Sequence, residues 1–252
     1  MNKSTDTISS LAKGLRVIEC FGAETPKLSI SDVSARTGLD RATSRRCLLT
    51  LHKEGYADYD GKSFTLTHRA LRLGMGAIAS LQLPEIVQPW LDQLTEQIGQ
   101  SCSVAILDGT EIIYLARAAQ RRVMSIGLMP GSRLPAHSTS MGRILLGALS
   151  VEEARSIIEV SDLSPRTSYS LTDPDEIMEQ VAIARERGHA VVDQEVEIGL
   201  RSIAIPVLNV RGAVVAALNT GMAATHRDAQ EMIVTYLPAL LRVQAGIARL
   251  LA

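Results

Sequence analysis

The chain has 252 residues, 46% of them hydrophobic and 3% aromatic, an ordinary globular composition with room for two modest domains. No apolar run reaches 18 residues, the opening Met-Asn-Lys-Ser-Thr-Asp lacks the hydrophobic stretch of a signal peptide, and Cys20, Cys47 and Cys102 are odd in number and far apart. These features predict a cytoplasmic protein and argue against a membrane span, a disulfide framework or a bound metal. Residues 1–80 carry 12 Lys and Arg against 8 Asp and Glu, a net +4, while residues 81–252 carry 14 against 19, a net −5. A basic first part on an acidic body suits a nucleic-acid-reading module attached to a domain with another task.

Ile8, Leu11, Leu15, Ile18 and Phe21 recur at helical spacing and predict an amphipathic first helix that braces the next two helices. Ile30, Val33 and Thr37 mark the buried face of a second helix, capped by Ser29 or Ser31 and ended by Gly38. Asp40 then caps a third helix running to about Glu54, with Ser44, Leu48 and Leu51 inward and Cys47 beside them. Arg45 and Arg46 point outward, and Arg41 and Thr43 fall in its first turns. Two helices around a glycine turn, the second bearing exposed arginines, form the helix-turn-helix pattern, and such a helix fits a major groove. Gly55–Tyr59, Asp60-Gly61 and Phe64–Leu66 predict a hairpin, hence a winged module with Lys62 near the wing tip. Arg41, Thr43, Arg45, Arg46 and Lys62 are the candidate contacts to double-stranded DNA. The plainer reading is a helical pair with a solvated polar face.

Leu71, Met75, Ile78 and Leu81 predict a linker helix over 68–83, closed by Pro84 and suited to pairing two chains. This divides the chain into a DNA-binding domain (1–67), a linker (68–83) and a second domain (84–252). In the second domain a helix over Ile86–Ile98 is followed by a hairpin, Ser103–Leu107 and Glu111–Arg117 around Asp108-Gly109, and a third strand over Val123–Leu128. Helices are predicted from Ser140 to Leu149, Val151 to Glu159 and Asp173-Pro174 to Gly188, and strands over Ala190–Asp193, Ile203–Leu208 and Val214–Asn219. Thr225 is placed as the cap of the last helix, with Asp228 completing a capping box. Hairpins with flanking helices make an α+β fold on a mainly antiparallel sheet.

Gly131–Gly142 is dense in hydroxyls where a helix begins, and helix N-termini attract anions. Ser138, Thr139, Ser140 and Gly142, with Asp193 at the end of one strand, Ser202 in the Gly199–Ser202 loop into the next, and Leu128, Met129 and Leu200 as apolar walls, predict a pocket for a small carboxylic acid. His137 beside Ser138, with Asp193 far along the chain, raises the alternative of an enzyme acting on a small acid. There is no Gly-x-Ser-x-Gly elbow, phosphate loop or dinucleotide fingerprint, and neither catalytic residues nor a cofactor is expected.

Over nearly its whole length the chain resembles the IclR family of bacterial transcriptional regulators. Arg133-Leu-Pro-Ala-His-Ser-Thr-Ser-Met-Gly-Arg143, Gly188-His-Ala-Val-Val-Asp-Gln-Glu195, Gly199-Leu-Arg-Ser-Ile-Ala204 and Thr37-Gly38-Leu39 carry the resemblance. It implies a winged helix-turn-helix, a linker helix and a GAF-like effector-binding domain, in homodimers or dimers of dimers on palindromic operators. Ser101–Gly109 and Met141–Arg143 look most like the subgroup controlling β-ketoadipate and related aromatic-acid catabolism. The resemblance also places Asn219, with Ser138–Ser140, Asp193 and Ser202, in the effector pocket. Many members carry Ser where this chain has Asn219, and some carry Cys at Ser202.

Overall fold

A computed structural model describes residues 7–22, 25–70, 73, 83–120, 127–224 and 228–251. It divides into two compact units, Met1–Leu81 and Gln82–Ala252.

The first unit contains α1 (Ser9–Glu19), β1 (Lys27–Leu28), α2 (Ile30–Thr37), α3 (Arg41–Lys53), β2 (Ala57–Tyr59) and β3 (Phe64–Leu66). Ser29, not Ser31, caps α2: its hydroxyl accepts from the Asp32 N–H, and the Asp32 carboxylate accepts from the Ser29 N–H at 2.8 Å. Such a cap is worth about 1 kcal/mol. Gly38 ends α2 at φ 69°, a left-handed conformation that glycine adopts without a Cβ penalty. Asp40 caps α3 through the Thr43 N–H at 2.8 Å. Val17, Leu28, Val33, Leu48, Leu51, Ala57 and Phe64 form the core.

Two expectations change here. Val17 is the fully buried residue of α1, whereas Ile8, Leu11 and Leu15 of the expected bracing stripe are exposed. The wing is a three-stranded sheet in the order β1-β3-β2, because Lys27 and Leu28 pair with Thr65 and Phe64. Its turn is longer than Asp60-Gly61: the Asp60 N–H donates to the Ser63 carbonyl, and the Asp60 side chain accepts from the Lys62 and Ser63 N–H groups.

The second unit is built on a six-stranded antiparallel sheet, in the order β6-β5-β4-β9-β8-β7. Its strands are β4 (Ser101–Asp108), β5 (Glu111–Ala118), β6 (Arg133–Pro135), β7 (Ala190–Asp193), β8 (Leu200–Leu208) and β9 (Val214–Ala223). Helices α4 (Leu83–Ile98) and α8 (Ala229–Ala248) cover one face over a core including Cys102, Val104, Ile203, Ile205 and Leu218. Helices α5 (Ser140–Gly147), α6 (Val151–Glu159) and α7 (Pro174–Arg187) lie over the other, against Ala105, Tyr114, Ala204 and Ala217. The α+β architecture is the one the sequence predicts, and side chains alternate between the two faces except at β-bulges opposite Val104/Ala105, where Leu115 and Ala116 share a face, and at Val207/Leu208.

Pro84, expected to close the linker helix, lies in the first described turn of α4. The last helix is capped by Asp228, whose carboxylate accepts from the Glu231 N–H at 2.8 Å; the expected cap Thr225 lies outside the described residues. So do most of the linker helix, including Leu71, Met75, Ile78 and Leu81, and most of the expected strand Val123–Leu128. The short edge strand β6 was not expected from the sequence.

Candidate effector cavity and nucleic-acid face

Arg41, Arg45 and Arg46 are exposed on α3, and Lys62 is exposed in the hairpin turn. Thr43 is only 8% exposed, a correction to its expected place among the DNA contacts. Its hydroxyl donates to the Asp40 carboxylate at 2.7 Å and accepts from Arg46 Nη2 at 3.2 Å. Asp40 captures both the Thr43 N–H and its hydroxyl, which turns the side chain back onto the helix start. Thr43 therefore holds the helix and the Arg46 side chain, and the outward row is Arg41, Arg45 and Arg46.

In the second unit, a small, partly open cavity of about 40 Å³ lies between the sheet and the start of α5. Ser101, Tyr114, Arg117, Leu128, Leu134, Thr139, Ser140, Val196, Leu200, Ser202, Asn219 and Gly221 line it. The sheet register brings these distant residues together. Ser103 pairs with Arg117 on one side and Asn219 on the other, while Gly221 pairs with both Ser101 and Ser202. Thr139 caps α5, its hydroxyl accepting from the Gly142 N–H at 3.1 Å. The Ser140 and Ser202 hydroxyls lie 2.9 Å apart and share a hydrogen bond.

Arg117 donates through Nη1 to Ser103 Oγ at 2.9 Å, and burial pushes its pKa below the ordinary arginine value. Burial likewise pushes the Tyr114 phenol up to about 12, so it stays protonated at neutral pH. The lining therefore contains one guanidinium, several hydroxyls and an amide, and no carboxylate among its described residues.

The structure brings six of the ten expected effector residues to this cavity: Leu128, Thr139, Ser140, Leu200, Ser202 and Asn219. Four stand elsewhere. Met129 projects into solvent at 63% exposure. Ser138 is buried beside the cavity, its hydroxyl without a hydrogen-bond partner. Gly142 sits behind the helix start, where a Cβ would lie 2.0 Å from the Ala136 carbonyl oxygen, so it permits close approach of α5 to the 136 backbone. Asp193 pairs with Arg201, Oδ2 to Nη2 at 2.7 Å. These two are register partners one residue away from Ser202 and Val192, and alternation turns them to the opposite face of the sheet. Ser101, Tyr114, Arg117, Leu134, Val196 and Gly221 also line the cavity and were not anticipated from the sequence. The signal for Arg117 was present as a polar residue in an apolar hairpin strand opposite Ser103, but it needs the register to be read.

A buried ion pair supports the wall. Arg143 Nη2 meets Glu195 Oε2 at 2.7 Å, with side-chain exposures of 3% and 7%. Arg143 Nε also donates to the His137 carbonyl at 3.1 Å. Burial dominates both partners, lowering Arg143 and raising Glu195 in pKa despite their mutual attraction. No hydrolytic triad forms: His137 Nδ1 and Ser138 Oγ have no hydrogen-bond partners, and Asp193 belongs to Arg201. Among the described residues no three His, Cys, Asp or Glu side chains gather as a metal site, and no helix is long and apolar enough to cross a membrane.

A winged unit with an arginine-bearing helix, on the same chain as a unit built around a polar cavity, defines a ligand-responsive DNA-binding regulator. Residues 10–61 match the IclR helix-turn-helix domain and residues 75–248 the bacterial transcriptional regulator IclR C-terminal domain, so the chain belongs to the IclR family. It is 42% identical over 237 residues to the Pca regulon regulatory protein of Pseudomonas putida, covering 94% of this chain and 81% of that one. It is 37% identical over 252 residues to the p-hydroxybenzoate hydroxylase transcriptional activator of Acinetobacter baylyi, covering 98% and 93%. Among solved structures, the inducer-binding domain of a PobR double mutant from Acinetobacter, in complex with 3-hydroxybenzoic acid, superposes with a TM-score of 0.63 at 34% identity. That match covers 67% of this chain and 99% of the other.

Proposed function

We propose that this chain is a cytoplasmic, non-catalytic transcriptional regulator of aromatic-acid catabolism, whose hold on its operator changes when a small carboxylic acid enters the second-unit cavity. The observation that carries the reading is the pairing, on one chain, of an exposed arginine row with a cavity lined by hydroxyls and one guanidinium. The Pca and p-hydroxybenzoate relatives and the hydroxybenzoate-bound inducer domain support the chemical class of effector. Arg41, Arg45 and Arg46 would meet the major groove and Lys62 a phosphate beside the wing. The protein would act as a homodimer or dimer of dimers on half-sites ~34 Å apart or a multiple of that.

A mobility-shift assay on the DNA upstream of the protein's own gene tests this. The fragment is expected to be retarded, with Arg45→Ala and Arg46→Ala each weakening binding by about 1–3 kcal/mol if they read bases. Far-UV circular dichroism should stay unchanged in both. Wild-type affinity in both variants would show that α3 does not read this DNA.

A further inference from the structure

Resting on the effector-binding reading, we propose that Arg117 anchors a carboxylate of the effector, which lies lengthwise across the sheet with a second oxygen-bearing end against Ser140 and Ser202. Three observations converge on this. First, Arg117 is the only charged side chain among the described residues of the cavity lining. A guanidinium presents a planar fork that matches a carboxylate with two parallel hydrogen bonds, and in a partly desolvated site that match is strong. Second, Arg117 Nη1 donates to Ser103 Oγ at 2.9 Å, which draws the guanidinium inward over β4. Third, the opposite end of the cavity holds the Ser140–Ser202 hydroxyl pair at the first residue of α5. One of these two hydroxyls donates to the other, so the pair retains a proton to offer to a ligand oxygen.

The register sets the ligand's length. Ser103 pairs with Asn219 on β9 and Asn219 with Ala204 on β8, so Ser202 lies two strands across from Ser103 and two residues along. With strands ~4.8 Å apart and ~3.4 Å per residue, Ser103, which the Arg117 guanidinium reaches, and Ser202 are about 12 Å apart. Subtracting a hydrogen bond of about 2.8 Å at each end leaves roughly 6 Å between the polar ends of the ligand. That is the span from the carboxyl carbon of a benzoate to a para oxygen, and equally the span between the carboxyl carbons of an extended six-carbon diacid. A monocarboxylate with no distal oxygen would leave the Ser140–Ser202 end unmet. Asn219 stands between the two poles, where its amide can meet either a ring hydroxyl or a keto oxygen.

Calorimetry on the full chain with adipate, 4-hydroxybenzoate, benzoate and methyl 4-hydroxybenzoate separates the two ends. At least one of adipate and 4-hydroxybenzoate is expected to bind, and which one does so identifies the distal group as carboxylate or phenol. It should bind roughly tenfold more tightly than benzoate, for the lost distal hydrogen bond, and 4-hydroxybenzoate should exceed its methyl ester by on the order of 100-fold if the carboxylate meets Arg117. Arg117→Gln should erase the preference for acid over ester, Arg117→Lys should restore part of it, and Ser202→Ala should erase only the preference over benzoate. Where 4-hydroxybenzoate binds, equal binding of its ester to the wild type overturns the proposal without recourse to any variant. So does wild-type acid affinity in Arg117→Gln, and so does failure of all the acids to bind while operator binding is intact. That last outcome would leave the DNA-binding reading standing.

Discussion

Removing the Glu195 carboxylate isolates Arg143 and should be among the most damaging single changes in the second unit. In Glu195→Ala the Arg143 guanidinium keeps its hydrogen bond to the His137 carbonyl but loses its counter-charge at 2.7 Å, in a site where its side chain is 3% exposed. Breaking one partner out of a buried pair costs about 3–5 kcal/mol, because the remaining charge stays desolvated. For a unit of this size, each kcal/mol corresponds to roughly 2–4 °C, so the melting point should fall by about 6–20 °C. Trp90, the single tryptophan of the chain, lies on α4 in the second unit and reports this transition separately from the DNA-binding unit. Because burial outweighs the attraction for both partners, the double variant Arg143→Met/Glu195→Leu should melt well above Glu195→Ala. A loss below about 1 kcal/mol in Glu195→Ala, within the range of a solvent-exposed pair, would refute the buried-pair reasoning.

Burial raises the Glu195 pKa above its ordinary value near 4.5, so the folded state holds this proton more tightly than the unfolded state. Its contribution to stability should decline as pH rises from about 4.5 through the raised value, and Glu195→Gln should flatten that slope in Trp90-monitored urea titrations. Gly142→Ala would force a Cβ to within 2.0 Å of the Ala136 carbonyl oxygen, and the required shift of α5 should cost about 1–3 kcal/mol; a wild-type melting point would show that the helix start yields freely. Leu48→Ala should cost about 2–5 kcal/mol in the DNA-binding unit, read as loss of operator binding and of amide protection there, with the Trp90 transition unmoved.

The parts of the molecule that sequence disclosed were those with local causes. Ser29, Gly38 and Asp40 act within a few residues of themselves, so the limits of α2 and α3 could be read directly. The β4–β5 hairpin followed from alternation around its turn. Thr43 was misplaced because its capping partner competes with solvent for its hydroxyl, and helical spacing does not record that competition. Asp193 was misplaced by one step of the pleat: it adjoins Val192, whose partner is Ser202, yet faces the other way beside Arg201. Arg117 was missed for the complementary reason. It joins Ser101, Ser202 and Asn219 only through pairings across β5, β4, β9 and β8, spanning a hundred residues of chain. Of the six anticipated cavity residues, Thr139 and Ser140 were legible from the hydroxyl-rich helix start, Leu128 and Leu200 as apolar wall residues, and Ser202 and Asn219 from their position in the family resemblance.

The distribution of acids around the cavity explains how a unit with net charge −5 can receive an acid. Two carboxylates close to it in sequence, Asp193 and Glu195, are both committed to arginines, and neither lines the cavity. Arg143 and Arg201 thus neutralise local negative charge without entering the site, while Arg117 projects into it among hydroxyls. The field inside is set by the guanidinium and the start of α5, both favouring an anion, and not by the net charge of the unit, which water and salt screen over distances near 10 Å. Ser140 then occupies a decisive position. It is the first residue of α5, it hydrogen-bonds Ser202 of β8, and its helix is tied through Arg143 to the segment carrying Glu195, Val196 and Leu200. An effector oxygen that takes over the Ser140 hydroxyl must loosen or re-aim the tie to β8, while the Arg143–Glu195 pair keeps the helix coupled to the opposite wall. Ligand entry is therefore expected to move the α5 start and the 194–200 segment together, and differential affinity for those two arrangements is the free energy available to alter operator binding.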